Sequence, residues 1–323
     1  MLWVGLIDEL WDQLGGLVSP EREPWLFAAS ASMGEARART FVTGRALLKY
    51  ALIELGALGT HDALPELTVS THGRPGLPPS LGLDFNLSHS AGLMALALGP
   101  GPQGVDLELS YPDLRRPSLS LAQRVLGPDE LAQWHTLFAP VAAELEPLPA
   151  GKRGQSSADL MLLSERAQAA LSAACFYFKR QWTLREAMVK LIGSSIFALE
   201  HLVVDEAARR CGFRVTSSGA DELVAGSAAL LTMLQGKTLP SGYMVSGVLP
   251  PLWDLSAERA LKNDYARAQA RFCFSLFCPD DQGDPGAAAP EPLEPPLTLQ
   301  ALIQGRFEPV VVPKMQHLAL VLC

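Results

Sequence analysis

The chain has 323 residues, 48% of them apolar and 19% charged, which suits one large domain or two of ordinary size with a well-filled core. A formal net charge of −8 argues against the broad basic surface with which a nucleic-acid binder meets phosphates, but leaves room for a local basic pocket that takes a small anionic ligand. Five cysteines (Cys175, Cys211, Cys273, Cys278 and Cys323) are odd in number and show neither CxxC nor metal-ligand spacing, so they read as reduced, mostly buried thiols.

From the N-terminus, "MLWVGLIDEL" is apolar but has no basic region or small-residue cleavage site, and it carries Asp8 and Glu9, against a secretory signal. No stretch reaches the roughly 18 uncharged apolar residues of a spanning helix, so a cytoplasmic protein without membrane contact is expected. Residues 35–57 place Phe41, Leu47, Leu48, Leu52 and Leu55 at helical spacing, with Gly56 to end the helix. "HGRPGLP" (72–78) is a stiff turn around Arg74. "FNLSHS" reads as a loop emerging at a sheet edge before a buried strand over 91–99. "GPGPQG" (99–104) is a connector. "GVDLELS" (104–110) alternates as a short strand, 139–159 is poor in pattern and expected to be a mobile loop, and 171–193 is a long helix. "GFRVTS" and "SGYMVSGVL" are later strands, and the acidic, Pro-rich 279–296 is expected to be disordered. The order helix, strand, strand, helix, strand, strand predicts an α+β architecture rather than an alternating parallel sheet.

Four places carry chemistry-bearing residues. Asp106 and Glu108 are two apart on a strand and so project together. They are either a solvated strand face over buried Val105 and Leu107, or oxygen ligands for Mg2+, which takes few protein carboxylates and fills its shell with water and phosphate. Glu186 and Lys190, one helical turn apart in "WTLREAMVKLIG", are a surface salt bridge or two groups aimed at one ligand. His89, between Ser88 and Ser90, is an imidazole satisfied by neighbouring hydroxyls or a functional group on a loop. Arg74 is an ordinary turn residue or a guanidinium presented to a phosphate. Taken together, the four point to a metal-bound, phosphate-rich ligand.

In this order "GRPGLP", "FNLSHS", "GVDLE" and "WTLREAMVKLIG", preceded by the helix "RTFVTGRALLKYAL", resemble the signatures of the Sfp-type 4′-phosphopantetheinyl transferases, the superfamily that includes holo-acyl-carrier-protein synthases. The resemblance spans about residues 35–193, and four motifs in order make it specific. It implies two similar α/β subdomains related by a pseudo-twofold, placed here at 1–103 and 104–278; a mobile insertion at 139–165 and a partly disordered tail at 279–323 are departures, longer than expected for the bacterial type. It also implies transfer of the 4′-phosphopantetheine arm of coenzyme A to a serine of an acyl carrier protein, or of a carrier domain in a polyketide or peptide synthase, with release of 3′,5′-ADP.

Carried over residue by residue, Asp106, Glu108 and Glu186 match the family's Mg2+ ligands, and Lys190 matches the lysine on the coenzyme A pyrophosphate. Arg74 and His89 fall at the phosphates around the 3′-phosphoadenosine end, and Ser88 is a further coenzyme A-binding residue. Arg45 matches a basic residue of the upstream helix, with Arg39 and Lys49 as rivals. Glu186, Lys190 and Asp106 are the catalytic set, and the base is Glu186 or a metal-bound water acting for it. Arg74 and Arg185 each replace a lysine of the family pattern, keeping the charge but changing the geometry. A non-catalytic relative that binds coenzyme A or carrier protein is the alternative; such a relative is expected to lose an acid or Lys190 first, and none is lost. Arg115, Arg116 and Arg124 form a candidate docking cluster for an acidic carrier, and with two halves in one chain a monomer is expected.

Overall fold

The computed structural model describes residues 1–70, 73–112, 119–145, 163–192, 202–205, 210–213, 242–249 and 270–279. The chain begins as β1 (Leu2–Leu6) and turns directly into α1 (Ile7–Leu14), which buries Ile7, Leu10 and Leu14 at helical spacing. α2 (Pro24–Ser30) starts on a proline, whose missing N–H costs nothing in a first turn. α3 (Glu35–Glu54) buries Val42, Leu47, Leu48, Ala51 and Leu52. A short antiparallel pair, β2 (Thr68–Val69) with β3 (Pro75–Gly76), leads to β4 (Asp84–Ser90), β5 (Leu93–Gly99) and β6 (Gly104–Ser110).

β1, β5 and β4 form an antiparallel sheet in that order, with β5 central and buried along its whole length. The sequence expectation of a loop at "FNLSHS" is corrected here: the segment is the edge strand β4. The turn consists of Ala91 and Gly92 alone, with φ of 47° and 80°, and β5 starts at Leu93 rather than Ala91. Two positive φ values in a two-residue turn match the right-handed twist of the flanking strands. α3 packs on β5, and the resulting core takes in Trp3, Leu26, Leu64, Phe85 and Leu96.

Farther along are α4 (Leu119–Val125), α5 (Pro128–Leu145) and α6 (Glu165–Ile192). The loop expected from 139 is helix as far as Leu145, and 146–162 lie outside the described residues. Pro140 reads as a breaker in the sequence, yet it sits inside α5, and Val141 is buried with Leu163, Ala167, Leu171 and Cys175 of the next segment. Burial of that face offsets the missing N–H. Glu144 accepts hydrogen bonds from the Ser164 backbone and hydroxyl, and these hold its carboxyl below the ordinary glutamate value. Ser164 Oγ in turn accepts from Ala167 N–H, capping the start of α6. β7 (Leu202–Asp205) and β8 (Arg210–Phe213) pair antiparallel, and β9 (Gly242–Leu249) and β10 (Arg271–Pro279) join β6 in the order β6-β10-β9. The protein is thus mixed α+β. The expected tail at 279–323 lies outside the described residues beyond Pro279.

Two compact units divide the chain. One holds Met1–Leu107 together with the stretches that begin at Ala187 and Leu276, and the other holds Glu108–Glu186 and the stretch ending at Ser275. β6, α6 and β10 each pass from one unit to the other. Cys175 and Cys273 are buried, and no described helix is long and apolar enough to cross a membrane.

Two features of the first unit generate measurable expectations. A Cβ on Gly104 would lie 2.4 Å from the Ala187 carbonyl oxygen and 2.8 Å from Leu191 Cβ, so only glycine allows α6 this close to β6. Gly104→Ala is expected to cost about 1–3 kcal/mol in urea unfolding, the usual range for forced overpacking. The second feature is a fully buried ion pair, Lys49 Nζ to Glu23 Oε1 at 2.7 Å, with Leu17 O, Ser19 N and Leu64 N completing the hydrogen bonds. Burial raises the carboxyl pKa of Glu23, but the bonds from Lys49, Ser19 and Leu64 outweigh it and hold the value below the ordinary 4.5. Lys49→Met, which strands the carboxylate, should cost about 3–5 kcal/mol. Because the pKa is lowered on folding, the pair's contribution is full above 4.5 and is lost as pH falls through the lowered value. Glu23→Gln should therefore flatten the acid limb of the stability–pH curve measured by urea midpoints.

Candidate functional site

Three residues singled out in the sequence, Asp106, Ser88 and Lys190, meet in the first unit. β4 is an edge strand, so its alternate side chains on one face are available to whatever lies beside it. Asp84 Oδ2 accepts from Gln103 N–H at 2.8 Å, Asn86 Oδ1 from Val105 N–H at 3.0 Å, and Ser88 Oγ from Leu107 N–H at 3.1 Å. These bonds advance two residues at a time on both segments and fix β6 against β4 through side chains. Asp106 is thereby buried between Val105 and Leu107, at 4% exposure, instead of standing on the solvated face that a surface reading would give it. Its Oδ1 accepts from Ser88 Oγ at 2.9 Å and from Lys190 Nζ at 2.6 Å, and Lys190 Nζ also donates to Ser88 Oγ at 3.0 Å. The lysine of the i, i+4 pair on α6 therefore bonds across to β6.

Asp106 Oδ2 is buried without a hydrogen-bond partner. A carboxylate oxygen left bare in the interior is costly, and a hard cation is the natural group to complete it. The site thus fits a divalent ion on oxygen ligands. Among the described residues no three His, Cys, Asp or Glu side chains stand together as a preformed cage. Glu108 and Glu186 belong to the second unit. There Lys179 Nζ of α6 lies 3.1 Å from Glu108 Oε2, and both Glu108 and Glu186 are half-buried.

The cations of α3 are sorted by their partners. Lys49 is spent on Glu23, and Arg39 pairs with Asp8 at 3.1 Å. Among the described residues Arg45 lies over the ring of Phe41, 4.2 Å from its Cζ, and its Nε is buried without a hydrogen-bond partner. Burial lowers its pKa to about 10. Of the three, Arg45 is the cation suited to receive an anion. A Cβ on its neighbour Gly44 would lie 3.3 Å from Leu87 Cδ1, so α3 crosses β4 on the face of Leu87. His89, exposed, leaves β4 on that same face, whereas Ser88 leaves on the other. Arg74 donates to Asp84, Phe85 O, Gln103 O and Lys190 O, which among the described residues leaves its guanidinium one uncommitted hydrogen, on Nη1.

No family model matches the chain. The 4′-phosphopantetheinyl transferase AcpT of Salmonella typhi is 30% identical over 177 residues, covering 54% of this chain and 69% of that relative. The same figures hold for AcpT of Salmonella typhimurium (strain LT2). The chain belongs to the 4′-phosphopantetheinyl transferase family. Membership carries phosphopantetheinyl transfer in general with it.

Asp84, Asn86 and Lys179 went unread in the sequence, and Arg185 stands there only as a replacement for a lysine. Asp84 and Asn86 look like ordinary polar positions of a strand; their signal is the two-residue spacing with Ser88. Lys179 lies seven residues before Glu186 on the α6 face and carries no motif of its own. Arg185 is fully buried, donating to Gln181 and, at 2.5 Å, to Glu130 Oε2, which also accepts Gly127 N–H at the start of α5. Its role is to bind α5 to α6. Trp182 packs 6.0 Å from Phe178 in the α4–α6 core. Of the expected docking cluster, Arg124 is exposed on α4, and Arg115 and Arg116 lie outside the described residues. Ser88→Ala leaves the buried Leu107 N–H without its acceptor, and the expected loss is about 1–3 kcal/mol in chemical unfolding. Ser88→Thr, which keeps the hydroxyl, should recover most of it.

Proposed function

We propose that this transferase moves the 4′-phosphopantetheine arm of coenzyme A onto a serine of an acyl carrier protein, or of the carrier domain of a polyketide or peptide synthase, releasing 3′,5′-ADP with Mg2+ as cofactor. The observation that carries the reading is the buried Asp106, with one oxygen bonded to Lys190 and Ser88 and the other left open.

Asp106, Glu108 and Glu186 would hold the cation; bound there, it would neutralise charge on the diphosphate oxygens. Lys190 supplies a fixed positive charge to the pyrophosphate, its ammonium already anchored on the Asp106 side. Glu186 takes the proton of the attacking carrier hydroxyl, a poor nucleophile until it is deprotonated. At the other end of the ligand, Arg45 offers a partly desolvated guanidinium to the phosphates of the 3′-phosphoadenosine, with His89 on the same strand face and Ser88 on the opposite one. The remaining Nη1 hydrogen of Arg74 is what it could contribute directly. The two halves are taken as pseudo-twofold copies, 1–103 and 104–278, in a cytoplasmic monomer of the holo-acyl-carrier-protein synthase type.

The test is intact-mass spectrometry of an apo acyl carrier protein incubated with the transferase, coenzyme A and Mg2+. The carrier should gain the mass of one phosphopantetheine, and EDTA should abolish the gain. Asp106→Asn and Glu186→Gln should each slow it by about 10²–10³-fold, the scale of losing one preorganised electrostatic group. Coenzyme A binding without transfer to any carrier would instead identify a non-catalytic relative.

A further inference from the structure

We propose that Arg74 is a positioning residue: paired with Asp84, its guanidinium ties the last turn of α6 to the start of β6 and so aims the Lys190 ammonium at Asp106. All the groups involved belong to the first unit.

The backbone at Arg74 is held independently of its side chain. Ser70 N–H donates to Arg74 O at 2.9 Å, Arg74 N–H donates to Ser70 Oγ at 3.0 Å, and Gly73 takes the positive φ, 81°, that the tight turn needs. From this fixed base the side chain reaches inward. Nη1 and Nη2 meet the two oxygens of Asp84 at 2.9 and 2.6 Å, the parallel arrangement that a planar fork makes with a carboxylate. Nη2 also reaches Phe85 O at 3.2 Å and Gln103 O at 3.0 Å, while Nε donates to Lys190 O at 2.9 Å.

That last contact gives the arrangement its function. α6 spans Glu165–Ile192, so the carbonyl of Lys190 lies in its last turn, where backbone acceptors lack helical donors among the described residues. Arg74 supplies the missing donor and places positive charge at the negative end of the helix. Asp84 meanwhile accepts Gln103 N–H, one residue before Gly104 starts β6. One ion pair therefore fixes both backbones whose side chains, Lys190 and Asp106, meet at 2.6 Å. Lysine at position 74 would bring a compact charge able to reach Asp84, but it could not span Asp84 and three backbone carbonyls at once.

The proposal needs Lys190 as the anion contact only in its binding arm, so a ligand-free arm tests it separately. Trace acetylation of the coenzyme-free protein, resolved by peptide mass spectrometry, reports how far each lysine amine is held. Arg74→Lys should raise labelling of Lys190 by roughly threefold or more as the last turn of α6 loosens, with Lys49 as the unchanged internal standard. Asp84→Asn should do the same, and it serves as the second variant if Arg74→Lys does not fold. Unchanged Lys190 labelling overturns the proposal.

In calorimetry with coenzyme A, Arg74→Lys should weaken binding about tenfold in the native background and less than about twofold on top of Lys190→Ala. Equal losses in both backgrounds would show that Arg74 touches the anion itself, and would overturn the positioning role. If the labelling responds but native protein binds no coenzyme A, the clamp stands and the assigned function falls.

Discussion

Asp84, Asn86 and Ser88 each accept one backbone N–H from the chain that follows β5, at Gln103, Val105 and Leu107, and the candidate site depends on that ladder of side chains. An edge strand ordinarily extends its sheet through its own backbone. Here β4 uses the side chains of one face, and β6 goes on to pair with β10 in a different sheet. The ladder thus lets one strand serve a second sheet while remaining fixed to the first. It buries Asp106 at the crossing, and a carboxylate placed there needs cationic company. Lys190 provides it for one oxygen, which is why α6 must come close, and why Gly104 must lack a Cβ.

The cations of the described residues divide by how far their charge is already committed. Lys49 is consumed by Glu23 in the core, Arg39 by Asp8 at the surface and Arg185 by Glu130 between helices. These pairs organise the fold. Among the described residues Arg45 is paired with no anion, and Lys190 is paired with a carboxylate whose other oxygen has no hydrogen-bond partner. An anionic ligand and a divalent cation would each find an incomplete electrostatic partner in place. A net acidic protein can in this way still offer a local site for phosphates, because sites are set by uncompensated charge rather than by the total.

Much of this was legible in the sequence because it is local. The β6 and α6 segments follow from alternation and helical spacing, and the motifs singled out Asp106, Ser88 and Lys190, which the structure brings into contact. The misses are long-range. Pro140 reads as a break until Val141 is seen buried against α6. Arg45 is already named ahead of Arg39 and Lys49, but the physical reason emerges only once Glu23 and Asp8 have taken the other two. "FNLSHS" passes for a loop because its polar alternate residues face a neighbouring segment rather than solvent. Arg74 presents itself as a charge on a turn, and nothing nearby in sequence reveals that its partners include a carbonyl 116 residues away.

The two-residue turn at Ala91–Gly92 sets the register of β4 on β5, and with it the division of labour between neighbouring residues of β4. Phe85 and Leu87 go to the core face, Asn86 and Ser88 to the ladder. A slip of one residue would exchange the faces, sending Ser88 inward and bringing Phe85 out of the core. No misregistered form can keep its core and lose only its site. Errors at this hairpin therefore remove the whole fold, and the population of folded molecules is one in which Ser88, not His89, stands beside Asp106.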